Sequence, residues 1–172
     1  MKVFRQHTSN CQFVQRPDAA FRKISEPEIE RGFDAPVDVY QRQSQRLARF
    51  GRSYCYGAFV EGSLAAFAWL LPHDVMKLDT PRILRGNPGQ AEMTAAETLP
   101  EFRGRNLYGY VIRNLFAVGR DSGIDTVFFK TFPENAAALR SFEKIGATYI
   151  GTTYVLHVPG MTAPVAWPRR FV

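Results

Sequence analysis

The residues best suited to chemistry fall in one stretch, EMTAAETLPEFRGRNLY, from Glu92 to Tyr108. Two carboxylates, Glu92 and Glu97, lead into a turn in which Arg103 and Arg105 flank Gly104. Carboxylates in a cleft are candidates for general-base work. Arginines around a glycine suit an anion: a guanidinium fork matches phosphate oxygens, and glycine lets the main chain come close. If a helix begins here, its first N–H groups lack intrahelical partners and its dipole favours negative charge. The expected anion contacts therefore run through Arg103, Gly104, Arg105, Asn106, Leu107 and Tyr108. Asn106 belongs to the non-glycine type that best tolerates positive φ. Tyr108 must swing its ring aside to offer its N–H, and Gly109 leaves room beside it.

A strand running into a helix must position these groups. AEMTAAETLP reads as the strand, closed by Pro100. Leu107, Val111, Leu115 and Val118 then recur at helical spacing, with Ser122-Gly123 as the stop. DTVFFKTF is strand-like. ENAAALRSFEKIG is a helix with Asn135 as N-cap, Ala138, Leu139, Phe142 and Ile145 on one face, and Gly146 at its end. TYIGTTYVLHV returns to strand. Upstream, Lys2 to Gln6 reads as a first strand and DAPVDVYQRQSQRLARFG, residues 34–51, as a surface helix. SYCYGAFVEGSLAAFAWLLP is a hairpin turned at Glu61-Gly62. HDVMKLDTPRILRGNPGQ reads as a loop and the tail, 159–172, as irregular.

This order predicts one α/β (α+β) domain over residues 1–172, a mixed sheet with helices on both faces. Strict alternation groups Glu92 with Thr94 and Ala96, and Glu97 with Met93, Ala95 and Leu99. Met93 and Leu99 look like core, so Glu97 needs a local break such as a β-bulge to reach a cleft.

Taken together, two segments resemble the motifs of the GNAT (N-acetyltransferase) superfamily. Phe102, Arg103 and Gly104, after the strand end Thr98-Leu99-Pro100, match its V-x-P-x-[YF]-R-G-x-G-x-G turn. Asn135, Ala138, Glu143, Lys144 and Gly146 match its N-x-x-A-x-x-[LF]-Y-E-K-x-G-F segment in register. The match is strongest over 91–147. The resemblance implies a GNAT-like, mostly antiparallel sheet and acetyl-CoA (CoA) as donor substrate, with no metal. Arg103 to Tyr108 would hold the pyrophosphate, Thr98 and Leu99 the thioester carbonyl and pantetheine backbone, and Asn135 and Phe142 the pantetheine arm. A primary amine of a small molecule would attack the thioester directly, with Glu97 or Glu92 as base; His73, in the following loop, is a third candidate.

The sequence departs from the family pattern at three points. Asn106 and Tyr108 stand at glycine-preferring positions, and Phe142 stands where the family often has a tyrosine acid for the leaving thiolate. Tyr108, Tyr110, Tyr149 and Tyr154 lie nearby, and sequence does not rank them. Two alternatives stay open: a non-catalytic acyl-CoA-binding or regulatory module, and an acyltransferase using a longer acyl-CoA or an acyl carrier protein.

Composition bounds the rest. Of 172 residues, 45% are hydrophobic and 22% charged, enough for a core and against disorder. The net charge of +6 comes from scattered arginines with no basic run among aromatics, so no nucleic acid is expected. The longest apolar stretch, LAAFAWLLP, is strand length, so no membrane span is expected. MKVFRQHTSNCQF lacks an apolar leader, and Cys11 and Cys55 lack metal spacing, which fits a reducing, cytoplasmic setting. The proline-rich tail suits packing on a second subunit, so a homodimer is among the expectations.

Overall fold

The computed structural model describes residues 1–30, 55–76, 87–156 and 165–167. The helix expected over 34–51 lies outside them. The hairpin forms as read: β3 (Cys55–Val60) and β4 (Ser63–Pro72) turn through Glu61 (φ 50°) and Gly62 (φ 84°). Two successive left-handed residues give the turn whose twist matches its flanking strands.

The remaining strands of the main sheet are β1 (Lys2–His7), β2 (Ala20–Lys23), β5 (Gln90–Thr98), β6 (Thr126–Thr131) and β7 (Thr148–Thr152). They pair in the order β2-β3-β4-β5-β6-β1-β7. Among the described strands only β5 and β6 run parallel, so the sheet is mixed and mostly antiparallel. The first strand does not sit at an edge. It is inserted between β6 and β7, with Lys2 opposite Thr131 on one side and Thr152 on the other.

Helices cover both faces. On one face, α3 (Leu107–Asp121) and α4 (Ala136–Lys144) bury Leu107, Val111, Leu115, Phe116, Ala138 and Phe142 against Ala58, Ala68, Leu70, Met93, Val127 and Phe129. On the other, Ile29 of the short helix α1 (Glu26–Glu30) and Val75 of α2 (His73–Met76) join Phe67, Trp69, Leu71 and Phe128. Each fully buried large side chain contributes ~1.5–3 kcal/mol, so these two layers dominate stability.

The fold differs from the sequence reading in several places. His73 does not open a plain loop; it begins α2. TYIGTTYVLHV is not one strand: it breaks at Thr153 into β7 and β8 (Tyr154–Leu156). The tail is not wholly irregular, because β9 (Val165–Trp167) pairs antiparallel with β8. β2 and α1 carried no expectation, although Ser25-x-x-Glu28 has the spacing of a helix-start capping box.

Candidate functional site

The site begins where two strands part. β5 pairs with β6 only from Gln90–Met93 against Thr126–Phe129. Beyond that, Lys130 and Thr131 pair with β1, while β5 runs on to Thr98 paired with β4 alone. The β6-side main-chain groups of Thr94–Thr98 thus border a gap instead of a ladder. A bulge marks the parting: Ala95 has φ 51°, and the β4–β5 register slips between Phe67 and Trp69. An extra residue bends a strand and reverses the alternation after it.

That reversal sorts the side chains. Glu92, Thr94 and Glu97 stand opposite Leu71, Trp69 and Phe67, all residues of the layer away from α3. Directly opposed residues share a face. Ala96 and Thr98 turn instead toward α3: Ala96 packs on that layer, and Thr98 stands opposite its Ala66. Strict alternation therefore fails after Thr94, and the break that Glu97 needs is present.

The turn into α3 comes next. A 3-10 turn, Pro100–Phe102, precedes Gly104 (φ 81°) and Asn106 (φ 56°). Asn106 holds the left-handed shape with no capping bond from its side chain. Its Oδ1 lies 3.1 Å from where a β-carbon on Gly109 would sit, so the glycine makes room for this carboxamide and not, as expected, for the Tyr108 ring. The first helical bond runs from Tyr110 N–H to the Asn106 carbonyl at 3.3 Å. Earlier amides of that turn are left for another acceptor.

A cavity of about 560 Å³ joins the two features. Of the residues singled out from sequence, Glu97, Thr98, Arg103, Gly104, Asn106, Leu107, Tyr108 and Asn135 line it. Ala96, Phe102, Ala137 and Ser141, to which the sequence reading gave no binding role, also line it. Among the described residues the buried Thr98 Oγ1 has no hydrogen-bond partner, an open polar atom at this wall. Arg103 reaches back, its Nε 3.4 Å from the Thr98 carbonyl. Asn135 accepts from Ala138 N–H at 3.0 Å and so caps its own helix.

Other predicted residues sit elsewhere. Phe142 is 1% exposed and packs against Phe129 and Phe4, with ring centroids 4.6 and 5.1 Å away, so it is core and not cavity wall. Leu99 is buried in the opposite layer. Arg105 lines a neighbouring hollow of about 750 Å³ with Arg16, Asp18, Arg22 and Glu61. That hollow is larger, but Arg16 already pairs with Asp18 and Arg22 with Glu28, each at 2.6 Å. Its charges answer one another and leave less for a ligand. His73 lines neither space.

Glu92 is 2% exposed and pairs with Lys130, Nζ to Oε1, at 2.5 Å. Lys130 was not singled out from sequence. The signal was a cation inside TVFFKT, flanked by buried strand positions, since a buried charge needs a partner. Among the described residues, no group of three or more His, Cys, Asp or Glu could hold a metal ion. No described helix is long and apolar enough to cross a membrane.

Known proteins place this geometry. The model of the acetyltransferase (GNAT) family matches residues 18–147. A GCN5-related N-acetyltransferase from Sphaerobacter thermophilus superposes with TM-score 0.64 at 12% identity, over 86% of this chain and 47% of that one. The ribosomal-protein-S18-alanine N-acetyltransferase of Escherichia coli gives 0.57 at 14%, over 86% and 88%. The aminoglycoside N-acetyltransferase AAC(6')-Iy in complex with CoA gives 0.57 at 18%, over 84% and 97%. Two further solved chains are spanned over only 59% and 19% of their length. At such identities the likeness concerns the fold alone. No curated protein matches the chain significantly.

Proposed function

This chain belongs to the GNAT acetyltransferase family, and from that premise we propose that it moves an acetyl group from acetyl-CoA to a primary amine of a small molecule. One observation carries the reading: a single cavity links the left-handed turn at the start of α3 with the unladdered edge of β5. The turn and Arg103 supply N–H donors and positive charge for a diphosphate. The strand edge supplies main-chain groups for an amide-rich arm, and the open Thr98 hydroxyl adds a polar contact there.

In the proposed reaction, the amine nitrogen attacks the thioester carbon, a C–N bond forms and the C–S bond breaks. N–H groups on the β5 edge face the oxygen as it becomes negative. A free alkylamine has pKa near ~10.4, so a proton must leave it first. Glu97, beside the bulge, takes that proton directly or through water, and after attack the nitrogen gives up a second proton, which passes through water to the departing thiolate. Glu92 is less available, because Lys130 already holds it.

The test begins with calorimetric titration of CoA into the full chain. Acetyl-CoA is then mixed with an amine panel that includes aminoglycosides and an N-terminal alanyl peptide, the substrate types of two proteins sharing the fold. Heat on binding and release of free thiol with one amine support the reading. Absence of any CoA binding overturns it. A second reading, a non-catalytic acyl-CoA-binding module, is favoured by Tyr108 in the cavity wall and Phe142 in the core. Binding without thiol release across the panel supports that one.

A further inference from the structure

The cofactor cavity opens at the first turns of α3 and α4. A second hollow, of about 410 Å³, lies farther along the same two helices. Arg113 and Phe116 of α3 and Lys144 at the end of α4 line it, and residues 10–12 of the segment after β1 close it. The two spaces share no lining residue.

The walls of this hollow are pinned. Asn114 of α3 accepts from Val14 N–H at 2.7 Å and donates to the Val14 carbonyl at 3.0 Å. Arg120, near the end of the same helix, donates to the Cys11 carbonyl. Cys11 N–H donates to the Thr8 carbonyl at 2.8 Å, and Thr8 N–H to the Asp125 carbonyl at 2.9 Å. Phe116, 1% exposed, forms an apolar floor. The segment is therefore held against α3 at several points, and the hollow is preformed.

Its chemistry is one-sided. Arg113 and Lys144 bring two positive charges, and no acid among the described residues lines the space. Neither cation has an ion pair or hydrogen bond among the described residues. The hollow beside Arg105 differs, because there Arg16 and Arg22 are already paired. Gln6 adds a second signal. Its Nε2 donates to the His7 carbonyl at 3.2 Å, which fixes the sense of the carboxamide. Its Oε1 is buried and has no partner among the described residues. A buried acceptor that has lost water without gaining a donor is costly. Gln6 is half-buried at the wall, so a turn of its loose terminal torsion presents this oxygen to an occupant.

We propose that this hollow is a second ligand site, for a small dianion that also carries an O–H or N–H donor. Arg113 and Lys144 take the negative charge, and the donor meets Gln6 Oε1. The carboxamides of Asn10 and Gln12 complete a polar rim. Two carboxylates or one phosphate ester supply the same charge. An occupant ties α3 to α4 and stays clear of the cofactor cavity, so the site stands independently of the acetyl-CoA reading.

The test is calorimetric titration of the full chain at constant ionic strength. Malate is set against succinate, and glycerol 3-phosphate against propyl phosphate; each second compound lacks the hydroxyl. At least one hydroxylated dianion binds, and its partner binds roughly three- to tenfold more weakly, the worth of one hydrogen bond. Arg113→Gln and Lys144→Gln each weaken binding about tenfold or more, the loss of a charge-assisted contact. Both side chains are exposed, so the melting temperature of each variant stays that of the wild type. Saturating CoA leaves the affinity within about threefold, because the sites are separate. Binding by neither hydroxylated compound overturns the proposal. So does equal binding within a pair, full affinity in either variant, or displacement by CoA.

Discussion

Helices α3 and α4 both begin at an asparagine, and the two use it in opposite ways. Asn135 turns its carboxamide inward and satisfies Ala138 N–H at 3.0 Å. Asn106 takes a left-handed backbone, makes no capping bond and leaves the first amides of its helix facing a cavity. The short helix α1 resembles α4: Glu28 accepts from Ser25 N–H at 2.9 Å and from its hydroxyl at 2.7 Å. A helix that satisfies its own donors contributes stability locally. A helix that leaves them open forgoes that stability and keeps the donors for a ligand. On the proposed reading, a missing cap beside a hollow and an arginine marks a binding turn, where a good cap marks scaffold.

The contrast breaks most sharply at Asn106. Asn106→Asp tolerates the same backbone and brings a carboxylate to the helix start. Thermal stability should hold or rise by ~0.3–1 kcal/mol, the gain of an anion at that pole. CoA affinity should fall by about a hundredfold or more, as two charge-assisted bonds are replaced by repulsion. Calorimetry and a melting curve on the same sample check both signs. A variant that binds as well as wild type would show that the turn is not a diphosphate cradle.

Gly104→Ala comes next. A β-carbon there meets nothing within 4 Å, so only the positive φ resists it. Stability should fall by ~1–2 kcal/mol, the cost of a left-handed alanine, with weaker CoA binding as the turn relaxes. An unchanged melting temperature would mean that the turn tolerates another shape.

Asn135→Ala should show the reverse balance. Losing the cap costs ~1 kcal/mol of stability. CoA affinity should move by less than about threefold, because the Asn135 oxygen is already engaged by its own helix. A large affinity loss without a stability loss would shift Asn135 from scaffold to ligand contact.

The smallest effect belongs to α1. Arg22 first, and then Ser25 N–H, draw the Glu28 carboxyl from its ordinary 4.5 to about 2. The depressed value means that its stabilisation is present above pH 4.5 and is lost as pH falls toward 2. The pair is near the surface, so the whole effect is at most ~1 kcal/mol. Glu28→Gln should flatten acid unfolding over that window and leave CoA binding unchanged.

Sequence made the outline of this architecture legible where periodicity was strong. The hairpin around Glu61-Gly62, α3 with its Leu107–Val111–Leu115 stripe, and α4 after Asn135 all stand where spacing put them. It missed what depends on distant partners. The place of β1 between β6 and β7 is set by pairing across more than a hundred residues, to which local pattern is blind. The bulge at Ala95 leaves no residue signature, yet it decides which face carries Glu97. Phe142 falls at a motif position, where the family often has tyrosine, and is core because Phe4 from the first strand packs against it. Lys130 could be suspected from its place among apolar strand residues, but only the fold names Glu92 as its partner.

The central claim is that open amides at the start of α3 grip a diphosphate. Calorimetric titration of the full chain with CoA, set against pantetheine, which has the same arm but no phosphate, tests it most directly. The account predicts that CoA binds at least about a hundredfold more tightly, the worth of two charge-assisted hydrogen bonds. Equal affinities, or no heat with CoA at all, would contradict it.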